Sequence, residues 1–215
     1  MKKTLLILLL AVIIAGSAEV SRAQEFIPLP APRTEGGMPL MQALKNRQTS
    51  REYGDQKLSQ QQMSDLLWAA CGVNRPETKK RTAPSAMNYQ EIDIYVSTSD
   101  GLYLYDAFRN GLIRLSHEDI REKTGIQEFV KTAPVNLVFV ADYSKMARSD
   151  DKTKEIYAMA DAAYISENVY LFCASEGLAT GVRAWVDKEN LAKVMNLKPE
   201  QHVVLAQSVG FPKQK

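Results

Sequence analysis

The sequence predicts an α+β sandwich in which a mixed, mainly antiparallel sheet is flanked by helices. Three observations carry that expectation. Segments 92–96, 101–105, 112–115, 135–141 and 203–209 have the alternation or the continuous apolar run of short strands. Segments 59–71 and 153–176 repeat apolar residues at helical spacing. The two kinds of element follow one another in mixed order, which suits helices packed on one antiparallel sheet.

Taken in order, residues 1–23 read as a secretory signal peptide. Lys2 and Lys3 form a basic start, Leu5 to Ile14 a short apolar core, and Ser21-Arg22-Ala23 or Gly16-Ser17-Ala18 a cleavage site. The apolar run is too short for a membrane span of about 20 residues. The expectation is therefore a secreted or periplasmic protein with no stable membrane insertion after cleavage. Lys2, Lys3, Arg22 and Glu19 would leave with the peptide, so the formal charge of +2 falls to zero. With no basic excess, nucleic acid is not an expected partner. The remaining length of about 190 residues suits one domain.

Residues 24–38 are Pro-rich and end in Gly36-Gly37, the composition of an extended arm or linker before a domain at 39–215. Pro39 opens a helix with Leu40, Ala43 and Leu44 on one face. In the next helix Ser59 and Gln62 form a capping box, with Leu58 and Met63 placed for a hydrophobic staple. Leu66, Leu67, Ala70 and Cys71 supply its buried stripe, and Gly72 ends it. A polar loop, 74–81, leads to the first strand, with Ile92, Ile94 and Val96 alternating. A hairpin follows, turning at Asn110-Gly111. Ser116 then caps a short helix, and Val135 to Ala141 form a central strand. The long helix is expected from Thr153 to Glu176, with Ile156, Met159, Ala160, Ala163, Val169, Phe172 and Cys173 as its apolar stripe and Gly177 as its end. A strand at 182–186, a helix at 188–195 and a last strand at 203–209 complete the chain.

Three segments can carry chemistry. Arg47, Thr49 and Arg51 offer guanidinium forks and a hydroxyl to a phosphate, although basic residues also suit any helix end. Pro84-Ser85-Ala86-Met87-Asn88 is a tight loop whose small residues allow close approach of a planar ligand, or simply a turn before a strand. Gly177-Leu178-Ala179-Thr180-Gly181-Val182-Arg183 leaves the long helix with two glycines and an arginine. A helix cap explains Gly177 but not Gly181.

The order of these motifs, closed by Gly210-Phe211-Pro212, resembles the nitroreductase family of FMN enzymes over roughly residues 39 to 212. The hairpin from Gly101-Leu102-Tyr103-Leu104-Tyr105-Asp106 to Leu112-Ile113-Arg114-Leu115 is most similar to the SagB or thiazoline-oxidase-type branch. The resemblance implies an FMN-dependent oxidoreductase that passes hydride through flavin N5 to or from a small planar substrate, built as an interlocked homodimer. It implies that Arg47, Gln48, Thr49 and Arg51 contact the ribityl-phosphate and pyrimidine side of FMN. Pro84, Ser85, Ala86 and Asn88 would reach the flavin held mainly by the partner, and Thr180, Gly181 and Val182 would place backbone donors near N5 and O4. Lys213 stands at a phosphate-binding position, while Arg51 and Arg183 are candidates to stabilise the reduced flavin anion. A non-catalytic flavin-binding or carrier protein is the alternative.

The remaining polar and aromatic residues suggest ordinary roles. Cys71 and Cys173 lie on apolar stretches of helix and are expected as free, hydrophobic thiols. The sparse Cys and His disfavour a metal centre. Trp68 and Trp185 are expected in the core, and His117 and His202 at the surface. The long helix is apolar over more than one face, with Tyr157, Tyr164 and Tyr170 beside its stripe, so a large subunit interface is expected.

Overall fold

The computed structural model describes residues 24–214. The signal-peptide reading of residues 1–23 lies outside the described residues.

The segment read as a linker is a strap. β1 (Phe26–Pro28) pairs with a later strand, and Leu29 N donates to Asn110 O at 3.0 Å. The strap then crosses the following helix, where Ser64 Oγ and Asn110 Nδ2 donate to Pro30 O. Arg33 donates through both its backbone N and Nε to the buried Asp65 carboxylate, at 2.8 and 2.7 Å, and through Nη2 to Glu176 at 3.1 Å. α1 (Leu40–Asn46) follows, with only Ala43 of the expected face buried; Leu40 and Leu44 are exposed.

α2 (Gln60–Cys71) carries the expected capping box: Gln62 N donates to Ser59 Oγ and Ser59 N to Gln62 Oε1. Its end differs from a left-handed glycine cap. Gly72 is extended (φ −73°), and glycine is needed there because a Cβ would lie 2.4 Å from the Trp68 ring. The expected polar loop contains a small hairpin of β2 (Val73–Arg75) and β3 (Lys80–Arg81). Trp68 stands half-buried beside it, donating to Val73 O.

The main sheet is built from β4 (Ile92–Thr98), β5 (Gly101–Asp106), β6 (Gly111–Ser116), β7 (Val135–Asp142), β8 (Ala179–Arg183) and β9 (Gln201–Gly210). Its order is β1-β6-β5-β4-β7-β9-β8, and every described pairing is antiparallel, so the expected mixed character is not present. β7 lies between β4 and β9, and its residues 135–141 are all buried, which explains their continuous apolar run. β4 is buried on both faces rather than half-buried, because Tyr95 and Ser97 are also covered. The hairpin connection is longer than a two-residue turn: Asp106 Oδ1 accepts from Phe108 N and Arg109 N, and Asn110 closes it with φ +46°. Short 3-10 turns replace the helix expected after Ser116.

Gly101 has φ +137°, and a Cβ there would stand 2.2 Å from Ser116 O. Gly101→Ala should therefore lower stability by about 2 kcal/mol or more, from backbone strain and overpacking together. Chemical denaturation followed by circular dichroism would measure it; a loss below about 0.5 kcal/mol would show that the hairpin absorbs the methyl group.

α3 (Asp151–Glu176) crosses the sheet face and is capped by Asp150, whose carboxylate accepts from Thr153 N. α4 (Lys188–Val194) covers the other sheet face near β9. The buried side of α3 is Ala158, Asp161, Ala162, Ile165, Ser166, Val169, Tyr170 and Cys173. Of the expected stripe, only Val169 and Cys173 are buried, while Ile156 and Met159 remain 56% and 42% exposed. β8 begins three residues before its expected start and ends at Arg183, leaving Trp185 outside the sheet and 67% exposed rather than in the core. Cys71 and Cys173 are both buried free thiols. No described helix is long and apolar enough to cross a membrane.

Candidate functional site

Two of the three motif segments meet in a single chain. α1 ends at Asn46 and releases residues 47–51 along the outer edge of β8, the last strand of the sheet. Ser50 N donates to Thr180 O at 2.9 Å. Gly181 eases this approach, since a Cβ there would press on Ser50 O at 3.1 Å and Thr49 Cγ2 at 3.3 Å. Tyr170 of α3 ties the corner together. Its hydroxyl lies 2.9 Å from Thr49 Oγ1 and accepts from Val182 N at 3.0 Å, and the Arg47 guanidinium sits over its ring at 5.3 Å.

The chain end joins the same corner. Tyr53 bridges to Pro212, and Lys213 N donates to Glu52 O at 3.3 Å. A cleft of about 490 Å³ opens between the end of α1, the last turn of α3 and β8, lined in part by Lys45, Arg47, Gln48, Thr180 and Pro212. Among the described residues, Arg47, Arg51 and Lys213 have no carboxylate within ion-pair distance. Arg47 at this cleft and the Thr49 hydroxyl beside Tyr170 are groups suited to a phosphate, with Arg51 following along the β8 edge, while Lys213 lines a separate cleft with Tyr53, Asp55 and Gln56. Arg47, Thr49 and Arg51 fit the phosphate end of FMN.

Arg183 does not serve as expected. Adjacent strand residues face opposite sides: Val182 pairs with Gln207, whose side chain reaches Ser166 of α3, so Arg183, beside Ala206, turns to the other face and is 6% exposed. Nη1 donates to Ser208 Oγ at 2.8 Å, while Nη2 donates to Asn136 Oδ1 at 3.0 Å and to Thr124 O and Oγ1 at 3.1 and 2.9 Å. Gly125 leaves the room, since a Cβ there would lie 2.5 Å from Arg183 Nε. Burial pushes the guanidinium down to about 10, still charged at neutral pH. The side chain is spent on the interior and is not a cofactor ligand.

The third segment, 84–88, lies elsewhere. Ala86 N donates to the Asp161 carboxylate at 2.8 Å, and Gln90 N to Ser85 Oγ at 3.0 Å. Met87 and Asn88 are exposed in the left-handed region, with φ +51° and +57°. Asp161 and Tyr170 are nine residues apart on α3, roughly 14 Å along its axis and about half a turn round it. Within one chain the loop and the corner therefore face different surfaces.

Asp161 is a residue that the motifs do not point to, and Tyr170, expected beside a subunit interface, is instead buried in this corner. A Tyr on a helix's buried side must find a partner for its hydroxyl, and an Asp among Ala158, Ala162 and Ile165 is a carboxylate placed in a core stripe. Those are the signals the sequence carries.

This combination, an all-antiparallel sheet crossed by a long helix with an anion-suited corner at its edge strand, defines a nitroreductase-type α+β domain. The model of the Nitroreductase family matches residues 44–211, and the chain belongs to that family. A crystal structure of a candidate nitroreductase from Ralstonia eutropha JMP134 is 41% identical, with a TM-score of 0.86 over 91% of this chain and 93% of that one. A candidate nitroreductase of Methanocaldococcus jannaschii is 29% identical over 182 residues, covering 80% of this chain and 90% of the relative. At the level of fold, the chain is also similar to an NADPH:FMN oxidoreductase from Vibrio harveyi solved with NAD+, at 17% identity and a TM-score of 0.62, over 81% of this chain and 69% of that one.

Proposed function

We propose that this protein is an exported FMN-dependent oxidoreductase of the SagB or thiazoline-oxidase-type branch, working as a homodimer on a small planar organic substrate. One observation carries the reading. The Arg47–Arg51 segment at the β8 edge is separated along α3 from the Pro84–Asn88 loop, so a flavin reached by both would be shared between two copies. Arg47 and Arg51 would hold the phosphate, and Gln48 and Thr49 the polar side chain of the flavin. Bound there, FMN would supply two-electron hydride chemistry at N5. The Thr180–Val182 edge would orient the ring, and the partner's loop would exclude water from its far side. The fold-level likeness to an oxidoreductase whose name carries FMN, and membership of the family, support this reading. Outside the cytoplasm free NAD(P)H is not expected, so the electron donor differs or turnover runs from substrate to acceptor.

The alternative, a flavin-binding protein without turnover, is favoured by one contact: Val182 N–H, expected near N5, is already taken by Tyr170 Oη. An absorbance spectrum of the protein titrated with FMN, with light scattering on the same sample, tests both readings. Flavin bands that bleach on reduction and return with an acceptor, in a dimer, are the expected result. Bands that bind but never cycle would favour the carrier, and no binding in excess FMN would overturn both.

A further inference from the structure

The loop at 84–88 is held by a pair of carboxyl groups that the proposed flavin chemistry does not use. Glu91 closes the loop at the start of β4, where its backbone O accepts from Asp142 N at 3.0 Å. Its side chain turns inward and is 0% exposed, and neither carboxyl oxygen meets a hydrogen-bond donor among the described residues. Beside it is the Asp161 carboxyl of α3, 3% exposed, whose Oδ2 accepts from Ala86 N. The loop pinned this way is strained: Met87, Asn88 and Gln90 all have positive φ, at 51°, 57° and 50°. Such a shape persists only when its surroundings hold it.

Two ionised carboxylates side by side in a buried site repel, and burial further penalises the charge on Glu91. The other groups facing the pair do not offset this. Lys145 is the cation that acts on Glu91, and its ammonium is committed to Asp93 Oδ1 at 2.8 Å and Gln90 O at 3.4 Å. Cys71 of α2 is a neutral thiol pushed up by its own burial, with Arg81 Nη1 donating to its sulfur at 3.3 Å.

We infer that Glu91 and Asp161 share one proton, Glu91 donating to Asp161 while Asp161 accepts the Ala86 N–H, and that this clamp positions the Pro84–Asn88 loop. Burial first, and then the Asp161 carboxyl, push Glu91 up to about 7. The folded-state value is raised, so the clamp's contribution is complete below the ordinary glutamate range and is lost as pH rises through about 7. The loop should then loosen at mildly alkaline pH while the sheet does not. The inference concerns the loop itself and stands whether or not the corner takes FMN.

Hydrogen exchange of the peptide spanning 84–90, corrected for the intrinsic pH dependence of exchange, tests it without cofactor. In the wild type, protection should fall about tenfold or more between about pH 6 and pH 8, while that of β7 stays constant. Glu91→Gln keeps a donor toward Asp161 and cannot ionise, so its loop should stay protected across that range. Asp161→Asn removes the like charge and should move the loss to lower pH for Ala86–Gln90. Carbon-13 titration of the glutamate carboxyls supplies a reading that needs no variant: one glutamate should titrate above about pH 6. Loop protection independent of pH in the wild type, an unchanged pH response in Glu91→Gln, or glutamates all titrating in the ordinary range would each overturn the clamp.

Discussion

Replacing Arg47 and Arg51 together with alanine is expected to weaken FMN binding about 100-fold or more. A hydrogen bond to a charged group contributes about 1.5–3 kcal/mol, and each arginine can offer at least one to a phosphate. Two such losses exceed about 2.8 kcal/mol, which is a factor of 100 in affinity. Neither arginine has a carboxylate partner among the described residues, so the double variant leaves no carboxylate stranded. The cost to folding should stay near 1 kcal/mol, chiefly from losing Arg47 over Tyr170. Arg47→Lys with Arg51→Lys should fall between wild type and the alanine pair, because lysine keeps the charge and loses the fork. Quenching of flavin fluorescence on titration gives the dissociation constants. An alanine variant within threefold of wild type would place the phosphate away from this corner.

Charging the exposed side of α3 should have a larger effect, on assembly. Ile156 and Met159 are one turn apart and largely exposed, and Leu40, Met41, Leu44, Met87 and Tyr164 are also exposed. Ile156 and Met159 put two large apolar side chains on one exposed side of α3, the kind of surface the proposed dimer would cover. Ile156→Glu with Met159→Glu would bury two unpaired carboxylates at such an interface, costing several kcal/mol. The dimer constant should then fall by more than about 1,000-fold, with light scattering giving the mass of one chain at micromolar concentration. On the proposed shared site, flavin affinity should fall with it although Arg47 and Arg51 are untouched, because the partner's loop would be lost. A wild-type protein of single-chain mass that binds FMN fully would sink both the interface and the shared site.

The same residues show where sequence reading stopped. Ile156, Met159, Ala160 and Ala163 lie at correct helical spacing, and they are apolar enough for a core. A helix with two apolar sides does not say which side meets its own sheet and which stays exposed, since both would bury surface equally well. Trp185 failed for a related reason: its place in a strand depended on where β8 ended, and boundaries follow from pairing with β9, which is not a local property. Arg183 was placed at the right strand and on the wrong side, because period two assigns alternate faces but not which face is outward.

Much else was local and therefore legible. Ser59 with Gln62 makes its capping box within four residues, Gly177 ends α3, and the continuous run 135–141 can only sit at the centre of a sheet. The ordered motifs in turn were enough to reach the family. What only the tertiary structure decided is how they meet. Ser50 on Thr180, Tyr170 between Thr49 and Val182, Lys213 beside Glu52, and Asp161 under Ala86 join residues far apart in the chain. Spacing along a chain records the repeat of one element at a time. Which side chains converge is set by how the helices cross the sheet, and that is determined by the burial of the whole core.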